Sequence, residues 1–418
     1  MSVNLSTRPI NTLVVRLIPT EVRISPYLLS GAALFLAAIM TTLAIGLRDP
    51  RVASCYECVL FVLAGVWCLT VPNPGMKFMP GVPLALILSW GFFQLGLGAT
   101  VYSYATLQDS LRCAALAATA WVSFRTFGSR ALRVEFLRSF AWAGALVSTI
   151  SVLAYFTSPG KILWVFDAPY PDVWGPFLSR NNFAQFLELA MPVALWFGLR
   201  GSAGSSVYIL LGAIMLASGL ASASRAGSAI LVLEAIAISW IHRHSPRARR
   251  MALVLVLATI LLGALPGVAN LAQRLQAADP YQGRREIARS TLAMISTRPW
   301  SGFGLGTFST VYPAYAVFDT GQAVEHAHND WLEWAAEGGV VYAAIWAGLA
   351  LWCVRPAVQS GWGIGVLGCF LHGFVDYPFA RFGISAWIFI LVGMLAAQSA
   401  EKRTLSQSGL REVPRRVH

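Results

Sequence analysis

Apolar blocks of about twenty residues, separated by short polar breaks, recur from position 27 almost to the C-terminus. Each block is long enough to cross roughly 30 Å of hydrocarbon as a helix. About twelve such helices are expected, over 27–47, 52–71, 81–99, 104–124, 136–157, 181–199, 206–220, 227–241, 251–267, 339–354, 363–377 and 383–400. None of the blocks has the two-residue alternation of a barrel strand, the other structure able to span a bilayer. The pattern lapses once, over 268–338, where a long polar stretch intervenes. The expected organisation is therefore a membrane domain over 1–267, an extramembrane loop over 268–338, and the last three spans with a tail over 339–418. Within the loop, 286–297 reads as a short helix that stops before Pro299. The fold class is all-α and polytopic.

Composition agrees with this reading. Of 418 residues, 56% are hydrophobic and 12% charged, against about 25% charged in a soluble domain. The net charge of +12 is explained by arginines on one side of the membrane rather than by nucleic acid, for which no basic and aromatic platform exists. With the N-terminus inside, Arg8, Arg16, Arg23, Arg125, Arg130, Arg133, Arg138, Arg243, Arg247, Arg249, Arg250, Lys402 and Arg403 all face the cytoplasm. Short outer segments hold fewer, among them Arg180, Arg225 and Arg381. Both termini are thus expected in the cytoplasm and the long loop outside. The first span reads as an uncleaved signal anchor. The six cysteines lie in apolar runs and are read as small buried hydrophobes.

Three outward segments are expected to meet: 158–180, the turn 222–225, and the loop. They contain the candidates for chemistry. Arg225 sits among small residues, either snorkelling to headgroups or facing an anion in a polar cavity. Arg284 and Arg285 open the loop helix, where guanidinium and free N–H groups suit phosphate; two solvated surface arginines are the alternative. Gly302, Gly304 and Gly306 predict a tight turn; no strand or Lys-Ser/Thr accompanies them as a nucleotide loop requires. His326 and His328 flank Ala327; their spacing does not share a helix face, so a general base is preferred to a metal ligand, and a polar loop histidine satisfied by its surroundings is the other reading. No metal or cofactor is expected. Asn181 and Asn182 are read as a helix cap. His372 and Asp376 lie near the outer end of the eleventh expected span, where ionisable groups are functional candidates. Asp109 and Arg112 are expected to pair, and Glu234 has no evident partner.

These motifs, in this order, resemble the O-antigen ligase and polymerase superfamily of bacterial envelope glycosyltransferases. His328-Asn329, followed by Gly339 and Tyr342, is similar to the ligases' periplasmic histidine motif. Gly283-Arg284 through Arg298-Pro299 to Gly302, Gly304, Gly306 and Phe308 resembles the family's Gly-Arg to Pro-x-x-Gly-x-Gly stretch. Ser222 to Gly227 resembles its Ser-Arg turn, and Phe177 to Ala184 its Asn-rich helix start. Ser179 stands where that family places Asn, and Arg285 beside Arg284 leaves open which of the two meets phosphate.

The resemblance implies a GT-C-like enzyme in the bacterial inner membrane, acting on the periplasmic side. Its donor would be an undecaprenyl-diphosphate-linked glycan and its acceptor a hydroxyl, with lipid A-core the expected acceptor. His328 would activate that hydroxyl. Arg225 and Arg284 would hold the diphosphate, with Arg285 and Arg180 as further donor contacts and His326, Asn329, Asn182 and Asp376 as secondary candidates. Displacement would be inverting and metal-independent. A polysaccharide polymerase and a protein O-oligosaccharyltransferase share this donor chemistry. A transporter of anionic lipids is the reading from a different class, but it would place its polar site near the midplane, commonly with internal repeats.

Overall fold

The computed structural model of the protein describes residues 25–44, 50–70, 77–168, 173–200, 204–263, 282–317, 321 and 323–407. In chain order its elements are α1 (Pro26–Leu43), α2 (Pro50–Thr70), α3 (Gly81–Gly96), α4 (Ser103–Thr126) and α5 (Arg130–Thr157). A small antiparallel hairpin follows, β1 (Lys161–Ile162) with β2 (Phe166–Asp167). Then come α6 (Arg180–Leu199), α7 (Ser205–Ala221), α8 (Arg225–Ile241), α9 (Pro246–Gly263) and α10 (Gln282–Thr297). The chain continues with α11 (Phe308–Val311), a single 3-10 turn (Tyr312–Ala314), α12 (Asp330–Ser360), α13 (Ile364–His372) and α14 (Phe382–Gln407).

The all-α membrane class holds. Among the described residues, six helices are long and apolar enough to cross a membrane: α1, α2, α5, α6, α12 and α14. Helices α3 and α7 are apolar but have only 16 and 17 residues. The eleventh expected span differs most. Instead of a helix over 363–377, the chain forms the nine-residue α13, about 14 Å of rise, and then turns. The amides of Val375 and Asp376 both return to the His372 carbonyl at 2.9 Å, ending the helix in mid-pattern. Hydropathy missed this because the turn residues Phe374 and Val375 are themselves apolar. The basic run Arg247, Arg249 and Arg250 is helical, since α9 begins at Pro246. Part of the expected loop, 268–281, lies outside the described residues.

Helices α6 and α14 sit inside the bundle and are enclosed on nearly every side, as apolar-all-round helices must be. Small residues let them approach their neighbours. A methyl group at Gly393 would lie 2.2 Å from the Ala120 carbonyl of α4, and Ser123 donates to the Ile390 carbonyl at 2.6 Å. Trp387 stacks on Phe140 of α5 with ring centres 4.3 Å apart.

The tenth span was expected to begin at Gly339. The helix instead starts at Asp330 and is broken at Gly339, whose φ of 79° and ψ of 171° belong to glycine alone. The glycine-rich turn supplies the backbone partners that this break exposes. Phe303 and Gly304 donate to the carbonyls of Ala336 and Glu337 at 3.1 and 2.9 Å, and Val340 donates to Pro299 at 2.8 Å. Gln94 of α3 clamps both chains, donating to Ser301 and Glu337 carbonyls and accepting from Leu305 N. Gly302, Gly304 and Gly306 all have positive φ, so the tight-turn reading holds and the turn's task is structural. Gly339→Ala would add backbone strain and a clash with the Trp300 carbonyl 2.1 Å away. It is expected to cost on the order of 3 kcal/mol, read as a lowered melting temperature in detergent; an unchanged melting temperature contradicts this account of the break.

Candidate active site

The site forms at one end of the bundle, where α6, α8 and α12 start and α13 ends. Asn329 caps α12, its Oδ1 accepting from Leu332 N at 3.0 Å while its Nδ2 donates to the Phe374 carbonyl at 2.8 Å. Asp330 N donates to the carbonyls of Gly373 and Asp376 at 2.8 and 3.2 Å, and its Oδ2 accepts from Phe379 N at 3.2 Å. The first turn of α12 and the turn after α13 are thereby laced together through groups that a helix start leaves unpaired. Asn329 is thus a helix cap that joins two elements.

This lacing sets His328 against Asp376. The Nδ1 to Oδ1 distance is 3.4 Å, and the side chains are 34% and 3% exposed. The carboxylate only accepts, so Nδ1 carries the proton and Nε2 is left as the basic nitrogen. A separation of 3.4 Å is long for this bond, as is common where a site tightens on its substrate. His328 itself lies at φ 51°, a left-handed conformation uncommon outside glycine and costing about 1–3 kcal/mol. Asp376, in the turn between α13 and α14, also accepts from Asn181 Nδ2 at 2.5 Å. Asn181 Oδ1 in turn accepts from Ser224 Oγ at 2.8 Å. This one chain of bonds joins two of the outward segments expected from the sequence, the loop at His328 and the turn 222–225 at Ser224, through Asp376 and through Asn181, which directly follows the third segment.

Burial pushes the Asp376 carboxyl up, but the His328 hydrogen bond and the positive fields of His372 and Arg284 prevail and bring it to about 2. Arg284, in the first turn of α10, donates from Nη1 to the Val375 carbonyl at 2.7 Å. Its positive charge acts on both Asp376 and His372. Arg285, the next residue, is exposed. Arg180 and Arg225 are the first residues of α6 and α8 and are half-buried. Each directly follows a capping serine, Ser179 accepting from Asn181 N and Ser224 from Gly227 N, both at 3.2 Å. The cap of α6 is therefore Ser179, and the two asparagines part company. Asn181 reaches the site, whereas Asn182 turns into the bundle and donates to Gln185 at 3.0 Å.

The two motif histidines have separate carboxylate partners. His326 Nδ1 donates to Glu333 Oε1 at 2.8 Å, and Glu333 Oε2 accepts from Ala327 N at 2.7 Å. Both histidine rings touch Tyr377, His326 stacked at 4.5 Å and His328 edge-on at 5.0 Å. Among the described residues no group of histidine, cysteine and carboxylate side chains has the arrangement of a metal site. His372 is buried against Glu188, 2.7 Å away, and Glu234 lies close to Glu188 with neither of its own oxygens hydrogen-bonded among the described residues. Asp109 and Arg112 approach to 3.8 Å, as expected from their spacing.

Sequence reading did not single out Asn181 over Asn182, nor Ser224, Glu333 or Tyr377. The one local signal was an acidic first turn in α12. A family model described as O-Antigen ligase matches residues 210–347. The match takes in Arg225, Arg284, Arg285, His326, His328 and Asn329. Among curated proteins none matches the chain.

The low Asp376 pKa carries a pH prediction. A carboxyl whose folded value lies below its ordinary 3.8 stabilises the fold above that value, and the gain is lost as pH falls through about 2. Wild type is expected to exceed Asp376→Asn by about 2 kcal/mol near neutrality, with the gap closing as the pH is lowered from about 4 to 2. Unfolding curves in detergent check this; a gap that stays constant over that range contradicts it.

Proposed function

We propose that this protein belongs to the O-antigen ligase superfamily and transfers a glycan from a polyprenyl-diphosphate donor, such as undecaprenyl diphosphate, to an acceptor hydroxyl. The observation that carries the reading is the pairing of half-exposed His328 with buried, ionised Asp376, directly beside Arg284. Asp376 holds the imidazole in one tautomer, and Nε2 accepts the proton of the incoming hydroxyl. The acceptor oxygen bonds to the anomeric carbon as the bond from that carbon to the diphosphate oxygen breaks. The leaving diphosphate takes the electron pair, and the configuration inverts.

The charge on the departing phosphates needs preorganised cations. Arg284 supplies the first, with its guanidinium already oriented by the Val375 carbonyl. Arg225 and Arg180, at the starts of the helices that carry Ser224 and Asn181, are the next donor contacts, with Arg285 at the rim. Arginine binds phosphate through paired N–H groups, so this assignment requires no metal. Asn329 and Asn181 position the reacting pair rather than touch substrate. His326 supports Tyr377, and Asn182 has no part in the chemistry. In the cell the reaction belongs at the outer face of the bacterial inner membrane, with both termini cytoplasmic and lipid A-core as acceptor.

His328→Ala is expected to lower transfer by about 10²–10⁴-fold while the protein still folds in the membrane. Near-normal transfer removes the general-base assignment. Arg284→Ala is expected to raise the KM for donor at least tenfold and leave the KM for acceptor alone. An unchanged donor KM excludes Arg284 as a main phosphate contact. The assay is transfer by purified protein from a polyprenyl-diphosphate glycan, with lipid A-core, a second lipid-linked glycan and a serine-bearing protein offered side by side.

A further inference from the structure

A cavity of about 560 Å³ opens beside His326, between α2, α4 and the broken part of α12. Its size is in the range of small-molecule sites. Its chemistry is the reverse of the arginine side. Six carboxyl residues line it: Glu57, Asp109, Glu325, Asp330, Glu333 and Glu337. Arg112 and His326 are the basic residues on its wall. Arg112 is partly committed to Asp109 and to the Ala380 carbonyl, and His326 to Glu333.

A further feature points to a ligand. At the mouth stand Tyr102 and Tyr104, 47% and 63% exposed with ring centres 6.1 Å apart. Flat apolar faces beside carboxylate acceptors suit a pyranose, whose C–H face packs on a ring while its hydroxyls donate to carboxylates. An anionic group would be repelled by the same wall.

We propose that this cavity is the acceptor subsite and that it takes a neutral or amine-bearing sugar unit, discriminating against phosphorylated or carboxylated ones. The word acceptor rests on the ligase reading above; the cavity's preference for uncharged or cationic sugar does not. Tyr377 links the two compartments, since it contacts both His326 of the cavity and His328. A sugar seated here is thereby held on the opposite side of the histidine pair from the Arg284 cation, and donor phosphate and acceptor sugar are sorted by charge.

The test uses the full-length protein in lipid nanodiscs without donor. Three soluble probes are titrated calorimetrically: a neutral trisaccharide glycoside, its amino-sugar analogue and its phosphomonoester. In Arg284→Ala, which removes the donor-side phosphate contact, the neutral and amino forms are expected to bind at least tenfold tighter than the phosphomonoester. In that background Tyr102→Ala is expected to weaken the neutral probe several-fold and Glu57→Gln to narrow the discrimination against phosphate. Equal or tighter binding of the phosphomonoester by Arg284→Ala overturns the proposal, as does binding indifferent to both cavity variants. If selectivity appears but the wild type transfers nothing from a lipid diphosphate, the ligase reading fails and the sugar site stands. If transfer proceeds while binding is unselective, the cavity proposal alone is lost.

Discussion

The site depends on how two helix ends satisfy their backbone. At the start of α12 the first amides need acceptors, and at the end of α13 the last carbonyls need donors. The chain meets both needs by pairing them: Asp330 N reaches the carbonyls of Gly373 and Asp376, and Asn329 reaches that of Phe374. In an apolar bundle such groups have no water to fall back on, so the two segments are locked at one register. That register places the Asp376 carboxylate opposite the His328 imidazole. The left-handed φ at His328 is the strain the lock sustains. A second lock of the same kind, the glycine turn seated on the break at Gly339, keeps the first half of α12 from straightening into one continuous helix.

Around this frame charge is divided. Arg284 stands by Val375, next to Asp376, while six carboxyl residues line the cavity that His326 borders. Tyr377 touches both histidines. A transferase that joins a phosphorylated lipid to a sugar must keep an anion and a polyol apart until their reacting atoms meet. Electrostatic sorting of this kind lowers the chance of either substrate occupying the other's place, and it needs no moving part.

Much of this was legible in the chain and some was not. The helical class followed from hydropathy; the histidine pair and Arg284 stood out by residue type within the one long polar stretch, and Gly339 was named only as the start of a span and as part of the resembling motif. Asp376 was named only as an ionisable group near a span end; its partner His328 is 48 residues away, a separation that no local pattern encodes. Asn181 and Asn182 are indistinguishable in sequence, yet a 100° step around α6 sends one to the site and the other into the bundle. The eleventh span read as continuous because Phe374 and Val375 satisfy a hydropathy window, while their backbone is committed to turns. Glu333 and Glu337 read as the polar end of a loop, because the helix that carries them is broken by a glycine whose conformation only the fold reveals.

The central claim is that donor diphosphate and the His328–Asp376 pair share one pocket. The most direct measurement is a cryo-electron microscopy structure with a non-transferable polyprenyl-diphosphate glycan analogue bound. The account predicts its phosphates against the Arg284 guanidinium, with the anomeric carbon on the His328 side and the carboxylate-lined cavity free of phosphate. Phosphates seated in that acidic cavity, or bound at the opposite end of the bundle, would contradict it.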